Sequence, residues 1–396
     1  MKTSTRVLLA LCAIVCLSGC ASAPPLPVMA PAHDLFADRA FKPPATPVSA
    51  EGLFRLSAPM QSYLHSAYFT SLLRRDGPER GLVEALYKKG ELKLEYDAEA
   101  TRDAAGTFAA KKGNCLALVI MTAAFARELG LNFDFQNVLV DEQWSRASDL
   151  YFGSTHVNLR FALRQELRGY EASNRSLTVD FMPPADAANL RTRAVEEQQI
   201  VAMYLNNRAA EELAAHRIDA AYWWARAAVT KDPSYITAYN TLGVVYQRHG
   251  DYQLAELVFK RALAREREDT ILMNNLVGVL QQQGKQEESA ALAARLKTIQ
   301  PTPPFFYFDK GLKAMEAGRY ADAKSLFERE VTRSPYYHEF HFWLALAHWR
   351  LGEQRAARDQ LALAVDTSTT ADAAKLYSGK LDYLRSLSAP GRSLRY

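Results

Sequence analysis

The apolar positions of this chain change period several times, and each change marks a different kind of element. Val7–Leu17 is an unbroken apolar run, too short to cross a bilayer as a mature helix. From Ser57 the residues Met60, Tyr63, Leu64, Ala67 and Tyr68 recur at helical spacing and predict one helix with Pro59 near its start. A second helix is expected over Pro78–Lys89, stopped by Gly90. Leu92, Leu94 and Tyr96 alternate briefly. Leu116–Leu129 is apolar on nearly every side, broken only by Thr122 and by Arg127–Glu128 near its end, and Gly130 closes it. A helix of that kind belongs in the middle of a domain. The period then falls to two. Asn132–Val140 starts by alternating. Thr155–Leu163 alternates cleanly, with His156, Asn158 and Arg160 on one side and Val157, Leu159 and Phe161 on the other. Leu177–Phe181 is a third short run of the same kind, with Asp180 between Val179 and Phe181.

The C-terminal half has a longer period. Gly250, Gly284, Gly318 and Gly352 stand 34 residues apart, and Ala221, Ala255, Ser289, Ala323 and Ala357 keep the same frame. Pro233, Pro301 and Pro335 close units, with Arg267 in the missing slot. Residues 236–269 carry Tyr239, Leu242, Gly243, Tyr246, Gly250, Tyr252, Ala255, Phe259 and Ala262. This unit resembles the tetratricopeptide repeat, two antiparallel helices that stack on the next pair because one pair cannot bury its own apolar face. Five frames follow: 202–235, 236–269, 270–303, 304–337 and 338–371. His216 stands where the first would have its glycine, and 372–396 forms a capping helix and tail. The resemblance implies an all-α solenoid that takes a protein or peptide partner in its groove. Its many aromatics, Trp223, Trp224, Phe305, Phe306, Tyr336, Tyr337, Phe340, Phe342, Trp343 and Trp349, are expected mostly as knobs in the superhelix core. His338 and His341 are three apart, not the four of the helical zinc-protease pattern.

The chain ends and bulk composition refine this picture. Lys2 and Arg6 precede the first apolar run, which closes with Leu17-Ser18-Gly19-Cys20. That ending resembles the lipobox of bacterial lipoproteins. It implies a signal peptide over 1–19, a lipid on Cys20 and several acyl chains holding the protein to a membrane; Ala21 after the cysteine implies the outer membrane, facing the periplasm, in a Gram-negative cell. An ordinary secretory signal with Cys20 incidental is the plainer alternative. Residues 20–50 hold seven of the chain's 17 prolines and are expected to form an extended tether that buries little. The formal charge of +4 includes Lys2 and Arg6, and no basic run points to nucleic acid. Hydrophobic content of 48% supports real cores in two domains, 51–195 and 202–371. No ligand spacing suggests a metal, and no motif suggests a cofactor.

Of four cysteines, Cys12 and Cys16 fall in the signal and Cys20 in the lipobox, which leaves Cys115 as a lone thiol in an exported protein. Cys115 opens the buried apolar helix, where unpaired amides and the helix dipole favour an anion and so a nucleophilic thiolate. Gly113 is expected to let a substrate approach the backbone. Of eight histidines, His156 alone follows Cys115 within this domain, on a strand, and Asp180 is the acid on the next one. A thiol, an imidazole and an acid that fixes the imidazole are what nucleophilic acyl transfer requires. The plainer reading is a small buried cysteine, a packed strand histidine and a solvated carboxylate.

The stretch Thr101–Val138, with Gly113-Asn114-Cys115 and Arg127-Glu128-Leu129-Gly130-Leu131, resembles the transglutaminase-like superfamily, whose folds are papain-like and α+β. The resemblance implies Cys115 as nucleophile, His156 as base and Asp180 as orienting acid. The chain has His156-Val157-Asn158 where many members have His-Ala-Trp, and Asp180-Phe181-Met182-Pro183 where many have Asp-Pro-Thr. Gln136, Gln143 and Trp144 are candidates for oxyanion donors beside the backbone amides. The expected function is cysteine-dependent amide or peptide acyl transfer, hydrolysis above crosslinking, on a lipoprotein whose repeats recruit the partner. The alternative is a non-catalytic assembly scaffold with a degenerate domain.

Overall fold

The computed structural model describes residues 32–87, 92, 94–97, 100–147, 150–162, 176–181, 191–368 and 371–388; the side chains of 95, 139–155 and 371 are outside that description. The N-terminal part begins with two short 3-10 turns, Ala32–Leu35 and Asp38–Ala40. Three helices follow: α1 (Ala58–Leu64), α2 (Ala67–Asp76) and α3 (Pro78–Tyr87). The single helix expected from Ser57 is two, because Ser66 stops the first and caps the second, accepting from the Phe69 N–H at 3.2 Å. Lys88–Gly90, the expected end of α3, lies outside the described residues.

Next come β1 (Glu95–Tyr96), α4 (Ala104–Ala110), β2 (Lys112–Gly113) and the long helix α5 (Cys115–Glu128). β1 and β2 pair in parallel. In α5 every residue from Leu116 to Ala126 is buried, as its lack of a polar face requires. A four-stranded antiparallel sheet completes this part: β3 (Phe133–Ala147), β4 (Leu150–Ala162), β5 (Ser176–Val179) and β6 (Arg191–Val195), in the order β5-β4-β3-β6. β3 and β4 form a long hairpin whose register shifts between Val138 and Gln143. β6 has no apolar run to announce it. It is an edge strand of mostly exposed Arg191, Thr192, Arg193 and Ala194, the charged edge that discourages pairing with another chain.

The C-terminal part is helical: α6 (Glu197–Ala214) with α7 (Ile218–Lys231), α8 (Ile236–His249) with α9 (Tyr252–Arg265), α10 (Thr270–Gln282) with α11 (Gln286–Ile299), α12 (Phe306–Glu316) with α13 (Tyr320–Arg333), α14 (His338–Arg350) with α15 (Gln354–Asp366), and a last helix α16 (Ala371–Ser388). Gly250, Gly284, Gly318 and Gly352 all turn with φ between 71° and 96°, and His216 takes the same left-handed conformation at 57°. The His216 N–H bonds the Leu213 carbonyl and the Arg217 N–H the Glu212 carbonyl, the pair that Gly250 and Asp251 make with Gln247 and Tyr246. Of the aromatics, Phe305 and Phe340 are core, whereas Trp349 and Tyr336 are exposed.

One contiguous apolar core runs from Leu35 through the sheet and α5 into the repeats as far as Leu280. Two smaller cores, Phe305–Ala347 and Ala345–Leu381, fill the last two repeats and α16. The first helices of the early repeats meet the N-terminal part: α6 touches α5 and β3, and α10 touches β4.

The tether expectation needs correction for its second half. Residues 34–42 lie against α7, α8 and α9, with Leu35 fully buried and Phe41 at 3% exposure. Their apolar residues are spaced too irregularly among prolines and charges to register as an element, yet they match a surface far along the chain. Residues 1–31, with the signal and Cys20, lie outside the described residues.

Candidate functional site

The site is built on the start of α5. Asn114 is its N-cap: the side-chain carbonyl accepts from the Ala117 N–H at 2.9 Å, and its amide donates to Thr101 Oγ1 at 2.7 Å. Cys115 is thereby the first helical residue, half-buried with a free thiol. A helix start leaves its first N–H groups without intrahelical acceptors, and Cys115 and Leu116 hold two of those positions.

Gly113 has a packing role that the substrate-approach expectation missed. A Cβ there would stand 3.0 Å from Ala117 Cβ and 3.2 Å from Thr107 Cγ2, wedged between α4 and α5. The strand before it is pinned by Asp97, whose N–H donates to the Gly113 carbonyl at 3.0 Å and whose carboxylate pairs with Lys112 at 3.1 Å and Arg102 at 3.3 Å.

The imidazole arrives from the sheet. His156 and Asn158 lie on the same face of β4, opposite Val138 and Gln136 of β3, and all four are buried. Asp180, just past β5, closes the group. His156 Nε2 lies 2.5 Å from Asp180 Oδ1, and the Asn158 amide donates to Asp180 Oδ2 at 2.9 Å. His156 also lies close enough to Cys115 for the two side chains to interact electrostatically. Burial lowers the affinity of this imidazole for its proton. The hydrogen bond to Asp180 and the interaction with Cys115, with the negative charges of both, outweigh that cost and raise its pKa to about 9. The three residues marked in the sequence are therefore brought together, 41 and 24 positions apart, by one helix start and two adjacent strands.

Two neighbours escaped the sequence reading. Asn158 holds the second oxygen of Asp180, and its two-residue spacing from His156 was the signal that could have found it. Tyr96 of β1 pairs in register with Gly113, with its side chain about half exposed beside the site. No motif marks it. Of the oxyanion candidates, Gln136 is buried opposite Asn158, and the side chains of Gln143 and Trp144 lie outside the described residues. His338 bonds the Tyr377 hydroxyl at 2.8 Å, while His341 lies between Gln360 and the Pro335 carbonyl at 2.8 and 2.6 Å. Among the described residues no group of three or more side chains could hold a metal ion, and no helix is long and apolar enough to cross a membrane.

Helix pairs in a 34-residue frame, with a left-handed turn inside each, define a repeat scaffold. The tetratricopeptide repeat family model matches residues 240–304 and 308–374, so the C-terminal half carries tetratricopeptide repeats. Among known proteins, the type IV pilus assembly protein PilF of Pseudomonas aeruginosa is 31% identical over 108 residues, which are 27% of this chain and 43% of PilF. The match thus spans less than half the length of that relative. Similar solved structures include Pseudomonas aeruginosa PilF (21% identity, 49% of this chain and 96% of that one, TM-score 0.28) and YrrB, described as a repeat protein with an unusual peptide-binding site (21%, 45% and 92%, TM-score 0.25). MamA is a third (15%, 40% and 93%, TM-score 0.23).

Proposed function

We propose that this chain is an envelope lipoprotein whose repeats hold a protein or peptide partner and whose N-terminal domain, transglutaminase-like in plan, carries out cysteine-dependent amide acyl transfer. The observation that carries the catalytic part is Cys115 at the first position of a buried helix, within electrostatic reach of a histidine that Asp180 clamps from behind. In the forward step Cys115 Sγ forms a bond to the amide carbonyl carbon while its proton resides on His156. The first amides of α5 hold the developing oxyanion. His156 then gives that proton to the departing amine as the C–N bond breaks, and the acyl group stays on sulfur as a thioester. Water, deprotonated by His156, releases the acid and restores the thiol. A His156 that keeps its proton to about pH 9 is poised for the acid role at neutral pH.

The test is iodoacetamide alkylation of the whole protein across pH, beside His156→Ala. Rapid alkylation that persists to low pH and is lost in the variant supports the pair. Ordinary thiol behaviour, unchanged in the variant, overturns the enzyme reading and leaves a non-catalytic assembly scaffold. That second reading has its own support in the likeness to a pilus assembly protein over 108 residues. The lipid anchor on Cys20 and an outer-membrane location rest on the sequence motif. Palmitate incorporation in cells, abolished by Cys20→Ser, tests them.

A further inference from the structure

Residues 34–42 are held the way a repeat protein holds a peptide ligand. Two arginines read two carboxylates four residues apart: Arg261 pairs with Asp34, and Arg226 grips Asp38 at 2.7 and 3.0 Å while the Tyr222 hydroxyl donates to the same carboxylate at 2.6 Å. Three residues on, the Phe41 ring stacks on Tyr222 at 3.9 Å between centroids and packs beside His249 at 4.4 Å. The backbone is read as well. The Tyr246 hydroxyl donates to the Leu35 carbonyl at 2.6 Å and accepts from the Ala37 N–H at 3.1 Å. Trp223 Nε1 donates to the Lys42 carbonyl at 2.7 Å, and Asp219 accepts from the Lys42 N–H at 3.0 Å. Asp38 is held below the usual carboxylate range, since the bonds from Arg226 and Tyr222 overcome its desolvation. Every one of these contacts joins residues more than 170 positions apart in the chain. Side-chain charge, a ring slot and backbone hydrogen bonds aligned along one short continuous segment are the marks of linear-motif recognition.

We propose that the α7–α9 face of the first two repeats is a binding site for a linear acidic-aromatic segment, of the form Asp-x-x-x-Asp-x-x-aromatic, that this chain occupies in cis with Asp34–Lys42 and that a partner protein bearing the same pattern takes over. The proposal rests on the interaction role of the repeats and not on the Cys115 chemistry. A cis ligand on a short connection acts at an effective concentration in the millimolar range. The wild-type site is thus nearly closed to a free peptide, and weakening the internal segment opens it.

The experiment uses the full chain and a fluorescein-labelled peptide of residues 32–44, read by polarisation. The released variant Asp38→Ala with Phe41→Ala binds the peptide at least tenfold more tightly than wild type, and a peptide carrying Asp38→Lys loses that binding. Arg226→Glu in the full chain reverses the preference towards the Asp38→Lys peptide. If the released variant is destabilised, added peptide raises its melting temperature in proportion to occupancy. A released variant that binds no better than wild type and whose melting the peptide does not move overturns the proposal and makes the segment a fixed part of the core. Concentration-dependent association of wild type in sedimentation would instead seat a second copy's segment there and overturn the partner. Alkylation of Cys115 reads the active site independently of every arm.

Discussion

Asn114 sets where α5 begins, and with it the position of the thiol. Replacing it by alanine leaves the Ala117 N–H uncapped and Thr101 without its donor, so Asn114→Ala is expected to lower stability by about 1–2 kcal/mol, read as a shift of the urea midpoint. The His156 site makes a second prediction with a definite sign. The folded state holds the imidazole proton to about pH 9, against an ordinary value of 6.5. The stabilisation from pairing is therefore complete below about pH 6.5 and lost as pH rises through about 9. Melting temperatures of wild type and His156→Gln should converge over that window, and a gap that stays constant or widens would show the proton is not shared as described. At this scale the sequence was readable where chemistry is scarce. A lone Cys115, one histidine downstream within the domain and one acid on the next strand left few ways to assemble a triad. Tyr96 was not readable, because nothing in a two-residue strand distinguishes a neighbour of the site from filler, and Asn158 was marked only by sharing a strand face with His156.

At the scale of elements, the repeats solve one packing problem in two ways. Gly243 and Gly311 lie where a Cβ would come within 2.5 and 2.4 Å of the Phe259 and Phe327 rings. In the same frame, repeats without that glycine have Ala209, Val277 or Ala345, and the phenylalanine position then holds Ala225, Ala293 or Leu361. A large ring on one helix requires a bare backbone on the other. Gly243→Ala should cost about 2–3 kcal/mol by overpacking a core with no room to yield. Adding Phe259→Leu, the pairing that the last repeat uses, should recover more than half of it in a double-mutant cycle. His216 offers the opposite change. Its left-handed backbone costs a Cβ-bearing residue what the four turn glycines avoid, so His216→Gly should stabilise by about 0.5–1 kcal/mol after the entropy gained by the unfolded chain. The repeat helices were legible because a 34-residue period repeats its own signal five times. The strand β6 and the break between α1 and α2 were not. β6 is an edge strand with few apolar residues, and Ser66 interrupts a helical pattern without disturbing its period.

For the whole molecule, the extent of each core sets how it opens. Leu35 to Leu280 share one core across the sheet and the early repeats, whereas α11 buries only Ser289 and the last two repeats have small cores of their own. Native-state hydrogen exchange should find α12–α16 opening at lower free energy than α5 and α8, with a separate early step in urea. Uniform protection across the chain would show the two parts to be a single cooperative unit. The sequence placed a domain boundary near residue 200, but the core ignores it, because the first repeats use the N-terminal part as the neighbour that a stacked helix pair needs. The docked segment at 34–42 also acts as a mooring point. If Cys20 carries the lipid, as proposed, the chain between anchor and body would be cut from about 110 Å of possible reach, had it run free to Leu53, to about 50 Å at Asp34. The face made by α7 and α9 would then ride nearest the bilayer, and a partner that displaces the segment would let the whole body swing out on a leash twice as long.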